Sequence, residues 1–156
     1  MSPETVAIAA DHAGYELKEI LEKELVETGI PVLDLGTHGP EAVDYPDYAD
    51  ALAAAIKAGK ASRGILLCGS GIGISIAANR HPELRAAYCH DTLTARLARQ
   101  HNDANVLVLG ARLIGVDVAR DCLEVFLNTD FEGGRHARRV AKLARTTLAK
   151  RKVFSP

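Results

Sequence analysis

Cys68-Gly69-Ser70-Gly71-Ile72-Gly73-Ile74-Ser75 joins a thiol to a run of small residues. Glycines at such a turn let backbone N–H groups close on an anion, and a helix beginning there adds partial positive charge. The same surroundings favour the thiolate, the basic and nucleophilic form of cysteine. Single residues exclude three loop chemistries. A nucleotide P-loop ends in Gly-Lys-Ser/Thr, and no lysine is present. A dinucleotide-binding turn carries GxGxxG after a first strand, whereas this is GxGxG after a third. A cysteine-dependent phosphatase would have arginine six residues after the cysteine, where Ile74 stands. The loop also suits a tight turn over a buried, purely structural cysteine.

Other residues with chemical potential lie far apart in the chain. Asp11-His12 follows the first apolar run and pairs a carboxylate with a proton-transfer group; the aspartate also suits a helix N-cap. His101-Asn102-Asp103 lies between a helix and the last strand, where a histidine can also simply answer the helix dipole. Gly133-Gly134 precede a helix carrying Arg135 and Arg139, four residues apart on one face, a good seat for a phosphate dianion. Lys142 and Arg145 on the same helix allow a solvated basic face as the alternative. Arg112, after the fifth strand, can join an anion site or pair with a surface acid. Cys89 and Cys122 read as core, and His38 and His81 carry no arrangement. The six histidines show no HxH, HExxH or His-Cys ligand spacing, so no metal site is expected.

The elements that must hold these residues are short apolar runs alternating with helical patterns. Strands are expected at 6–10, 31–35, 64–68, 85–89 and 105–109. Leu17, Ile20, Leu21 and Leu25 share a helical face closed by Gly29; Tyr45-Pro46-Asp47 opens an alanine-rich helix ending near Gly59. Further helices are expected at 73–79, after Asp91, at about 116–127 and at about 135–150, with a short tail at 153–156. The alternation implies an α/β fold: a doubly wound, flavodoxin-like five-stranded parallel sheet with helices on both faces. Ligands then sit beyond the C-terminal strand ends, which selects Asp11-His12, 36–45, 68–73, His90-Asp91 and 110–112.

The whole chain, 1–156, reads as one domain, with 47% apolar and 25% charged residues. A net charge of −1 gives no reason to expect nucleic acid or an anionic membrane as partner. No apolar stretch reaches the length of about 18 residues that a membrane span needs. Met1-Ser2-Pro3-Glu4 lacks the character of a signal peptide, and three widely spaced cysteines suit free thiols in a reducing cytoplasm.

Five blocks resemble one family in their order: 9–14 around Asp11-His12, 44–49 around Tyr45-Pro46, 68–80 around the glycine loop, 99–106 around His101-Asn102, and 132–136. The family is ribose-5-phosphate isomerase type B, which also serves galactose 6-phosphate and allose 6-phosphate. The resemblance implies reversible conversion of ribose 5-phosphate and ribulose 5-phosphate in the pentose phosphate pathway, without metal or other cofactor. It implies Cys68 as the base moving a proton between C2 and C1, since the glutamate that some members use is here Ile74. It makes His101 the proton donor for ring opening and aligns Asp11, His12 and Asn102 with sugar contacts. Arg112, Arg135 and Arg139 align with phosphate contacts, and Gly69, Ser70, Gly71, Ile72 and Gly73 with the seat of the enediolate oxygens. Ser70, near the base in sequence, is a candidate proton relay, and Asp11 a candidate acid or base. A homodimer or homotetramer with active sites shared between subunits is also implied. The readings left beside this one are a six-carbon sugar phosphate as substrate, and a non-catalytic sugar-phosphate-binding module.

Overall fold

The structure, a computed structural model, describes residues 4–144. The chain runs β1 (Val6–Ala10), α1 (Tyr15–Glu27), β2 (Val32–Asp34), α2 (Tyr45–Lys57), β3 (Arg63–Cys68), α3 (Ile72–Ala78), β4 (Ala86–Tyr88), α4 (Thr92–Asn102), β5 (Val106–Gly110), α5 (Val116–Asn128) and α6 (Arg135–Ala144). The part of the expected last helix beyond Ala144, Arg145 within it and the tail at 153–156 lie outside the described residues.

β1, β3 and β5 are continuous apolar runs because helices cover both of their faces, and almost every residue in them is buried. The flanking strands β2 and β4 are three residues long and only half-buried, as suits the edges of a sheet. Helix ends follow local chemistry. Pro46 stands in the first turn of α2, where no N–H partner is lost. Asp91 caps α4 by accepting from the Thr94 N–H at 2.7 Å. Gly29, at φ +83°, follows the end of α1 as a left-handed C′ residue.

The five parallel strands pair in the order β2-β1-β3-β5-β4. The expected doubly wound parallel sheet is present, with its last two strands exchanged relative to a flavodoxin's order. α1, α4 and α5 bury one apolar cluster, with Leu21, Leu107 and Phe126 at its centre; α2 and α3 bury the other, around Leu52, Leu66 and Ile74. The exchange has a direct consequence for chemistry. It sets β5 beside β3, so that Cys68 pairs with Gly110. β1 and β5 both send the chain to the α1/α5 face, while β3 between them sends it to α3 on the other. The C-terminal end of β3 therefore stands between two diverging connections, where open α/β sheets form ligand crevices.

Lys18 shows how tightly the β1–β2 corner is tied. Its side chain is fully buried and bonds Asp34 and Glu19 at 2.8 Å each. Burial works against the ammonium charge, but these carboxylates outweigh it and hold the lysine above its ordinary pKa. Among the described residues no helix is long and apolar enough to cross a membrane.

Candidate active site

Cys68 ends β3 and is 4% exposed. Its Sγ accepts a hydrogen bond from the Gly71 N–H at 3.2 Å, a contact that strengthens when the sulfur is negative. The turn that delivers this N–H needs glycine: Gly71 sits at φ +79°, and a Cβ there would meet the Tyr88 ring at 2.6 Å. Ser70 Oγ accepts from the Ile72 N–H at 3.2 Å. Two of the loop's amides thus serve its own side chains, so the expected anion cradle is narrower than an unbroken row of N–H groups. The Tyr45 ring lies over Gly73, where a Cβ would come within 2.6 Å of it.

Neighbouring strand ends bring three expected partners to this loop. Asp11 is buried, and its Oδ1 accepts from the N–H groups of Ala13 and Gly14 at 3.0 and 3.2 Å. It therefore shapes the turn before α1, whose N-cap is Gly14 rather than the expected Asp11, in addition to any role toward a ligand. His12 accepts the Val43 N–H on Nδ1 at 3.2 Å, so the neutral ring carries its proton on Nε2. Arg112 follows β5; its N–H donates to the Gly69 carbonyl at 2.9 Å, and its side chain passes over Gly69. A thiol, a carboxylate, an imidazole and a guanidinium thus gather at one end of the sheet.

The remaining expected residues lie at the other end. α4 begins where β4 ends and descends, so its last residues His101 and Asn102 reach the start of β5. They lie inside the helix rather than after it, and Asp103, at φ +46°, closes it. Arg99 fixes this corner through the carbonyls of Thr129 and Ala104, at 3.2 and 2.6 Å, and the Asp103 carboxylate at 2.8 Å. The segment before α6 docks on it as well, with the Glu132 N–H donating to the Gln100 carbonyl. Arg135 and Arg139 therefore share the His101 end of the sheet. The length of β5, from Gly110 beside Cys68 down to Val106, separates this end from Cys68 by about 13 Å. One chain brings Cys68, Asp11, His12 and Arg112 together, and separately His101, Asn102, Arg135 and Arg139, but it does not join the two groups. A cavity of about 750 Å³ between α1 and α5 contains none of these residues.

Two residues without any assigned role belong to the second group. His136 stacks flat on His101, with ring centroids 4.2 Å apart and planes 13° apart. It is 6% exposed, and its Nε2 has no hydrogen-bond partner; the nearest acid oxygen, on Glu132, is 3.8 Å away. Burial, the neighbouring His101 and the charge of Arg135 together hold this imidazole below the ordinary histidine pKa. Sequence spacing gave no hint of the pair, since His101 and His136 meet only through the packing of α6 on α4. Cys89 and Cys122 are buried core, as expected. Desolvation pushes their thiols up to about 12 and about 11, which leaves them inert near neutral pH.

Comparison with known proteins returns one family. The ribose/galactose isomerase pattern matches residues 6–143. Ribose-5-phosphate isomerase B of Escherichia coli is 45% identical over 135 residues, which cover 86% of this chain and 91% of that protein. D-erythrulose-4-phosphate isomerase of Pectobacterium atrosepticum is 45% identical over 141 residues, or 89% of this chain and 92% of that one. The crystal structure of a ribose 5-phosphate isomerase from Thermotoga maritima superimposes with a TM-score of 0.89 at 52% identity, covering 90% of this chain and 97% of that one.

Proposed function

The chain belongs to the ribose/galactose isomerase family, and we propose that it is the isomerase of ribose 5-phosphate and ribulose 5-phosphate, with Cys68 as its base. The observation that carries the base assignment is the Cys68 sulfur, held at the end of β3 by the Gly71 N–H and flanked by Asp11, His12 and Arg112. The Cys68 thiolate takes the proton from C2 of the open-chain aldose. The electron pair moves into an enediolate, and the thiol returns the proton to C1 to give the ketose. The hydroxyl proton passes between O2 and O1, with Ser70 placed in the loop to relay it. The remaining loop N–H groups stabilise the developing oxyanion, which is where fixed dipoles contribute most. The substrate-binding set is Asp11, His12, Gly69, Ser70, Gly71, Ile72, Gly73, Asn102, Arg112, Arg135 and Arg139.

A complete site on this reading needs two copies of the chain. Cys68 lies about 13 Å from the His101 end, farther than one pentose phosphate reaches while its C2 sits at the sulfur. A two-fold dimer solves this by facing the Cys68 end of one copy with the His101 end of the other, and it makes two such sites. His101 of the second copy then protonates the ring oxygen as the sugar opens, while Asn102 holds the sugar and Arg135 and Arg139 hold the phosphate. Exposed apolar side chains beside the glycine loop support such a contact: Ile72 and Ile76, one turn apart on α3, and Leu113 after β5. A homotetramer built from such dimers is compatible. Free thiols suit the cytoplasm as the working compartment, and the chain acts as one isomerase domain.

Chain length of the sugar is the open specificity, because a relative of equal identity acts on a four-carbon phosphate. The test is kcat/KM on four-, five- and six-carbon aldose phosphates. The highest value is expected on ribose 5-phosphate, and a higher one on a six-carbon phosphate would move the assignment to an allose or galactose phosphate. Removal of either phosphate arginine, as Arg135→Ala or Arg139→Ala, is expected to raise KM about ten- to a hundred-fold through loss of a charge-assisted contact. Unchanged KM in both variants would refute their phosphate role.

A further inference from the structure

We propose that His101, Glu132 and His136 form a binding site for a divalent first-row transition ion of the Zn²⁺ type. One ring nitrogen of each histidine and a carboxylate oxygen of Glu132 lie within 4.8 Å of one another. Two imidazoles and a carboxylate are a donor set that borderline cations prefer, and three protein ligands leave a fourth position for water. The independent sign of a ligand is His136 Nε2, which is buried without a hydrogen-bond partner in a structure whose other buried side-chain polar atoms, among the described residues, are satisfied. Such an atom is costly to bury, and a metal bond removes the cost.

Closing the site takes small movements. Ligand atoms around a zinc ion stand roughly 3.5 Å apart, given bonds of about 2.0–2.2 Å, so the three groups must approach by about 1 Å. The stacked rings must also tilt, because parallel imidazoles point their lone pairs side by side. Glu132 has the freedom to follow, being half exposed and outside any helix. Arg135 and Arg139, on the same helix as His136, oppose a dication, and Glu132 offsets them in part. The other such cluster of the fold, Glu19, Glu22 and Asp34, differs in that the Lys18 ammonium already lies among its carboxylates.

A metal here would occupy a nitrogen of His101 or hold its ring away from a sugar, so it would inhibit the isomerase. That consequence, unlike the site, rests on His101 being the ring-opening acid. The experiment is a calorimetric titration of Zn²⁺ into the metal-stripped full chain, with isomerase assays alongside. Wild type and Cys68→Ser are expected to take up one equivalent per chain. Glu132→Gln and His136→Gln are expected to bind at least about ten-fold more weakly, and Glu132→Gln, an exposed position, keeps the test valid if His136→Gln fails to fold. Equal affinity in both variants, or loss of binding in Cys68→Ser, would overturn the site, the latter because the thiolate would then be the ligand. Zinc bound through these residues with no inhibition would leave the site standing and refute the role given to His101.

Discussion

Cys68→Ser and Cys68→Ala are each expected to lower kcat by about 10²- to 10⁴-fold, the range a positioned general base contributes. The two substitutions divide the roles of the sulfur. Serine keeps an acceptor for the Gly71 N–H, so the turn and the substrate seat persist, but a hydroxyl near neutral pH is almost never ionised. Alanine removes the acceptor as well and leaves that N–H unpaired, which adds a modest loss of stability. Stopped-flow or coupled assays on both variants, with proton exchange at C2 followed by NMR, check the outcome. Near-normal exchange in Cys68→Ser would exclude the thiolate as the base. A fall in KM-dependent binding without a fall in kcat would make Cys68 a substrate contact only.

Cys68→Ala and His101→Asn, each inactive alone, are expected to restore activity when mixed under conditions that exchange subunits. If every site takes its base from one copy and its ring-opening acid from the other, a heterodimer of the two variants has one site with both defects and one with neither. Random pairing of equal amounts makes half of the dimers mixed, so about a quarter of all sites should be intact. The readout is the rise of isomerase activity with mixing time toward that plateau, alongside the unmixed variants. Mixing Cys68→Ala with Asp11→Ala is the control, because these residues share one end of the sheet and every site would keep a defect. No recovery in the first mixture, with subunit exchange verified, would refute the two-copy site and require a large movement of α4 instead.

Much of this molecule was readable from local signals, for reasons that particular residues make clear. Val6-Ala7-Ile8-Ala9-Ala10 and its counterparts in β3 and β5 are apolar throughout because a central parallel strand is covered on both faces. Pro46, Asp91 and Gly29 mark helix ends because each resolves a backbone hydrogen-bonding or dihedral problem that exists within a few residues. The resemblance of five ordered blocks carried the family, and the comparisons agree with it. The loop at Cys68 was legible as a strand–helix turn, but not that two of its amides turn back onto its own sulfur and hydroxyl.

Decisions at longer range had no local trace. The exchange of β4 and β5 depends on where α4 packs, and the three residues of β4 carry no register signal that names β5 rather than β3 as a partner. That exchange is what puts Arg112 over Gly69. The descent of α4 carries His101 away from Cys68, so residues that read as one constellation along the chain occupy opposite ends of the sheet. His101, Glu132 and His136 were individually visible, yet their meeting depends on α6 docking across 34 residues of intervening chain. Residue types, periodicity and capping are properties of neighbours in sequence, and they determined which elements form and which chemistry each can hold. Distances between elements arise only when two apolar faces choose their partners, and the tertiary structure alone decided which of those chemistries meet.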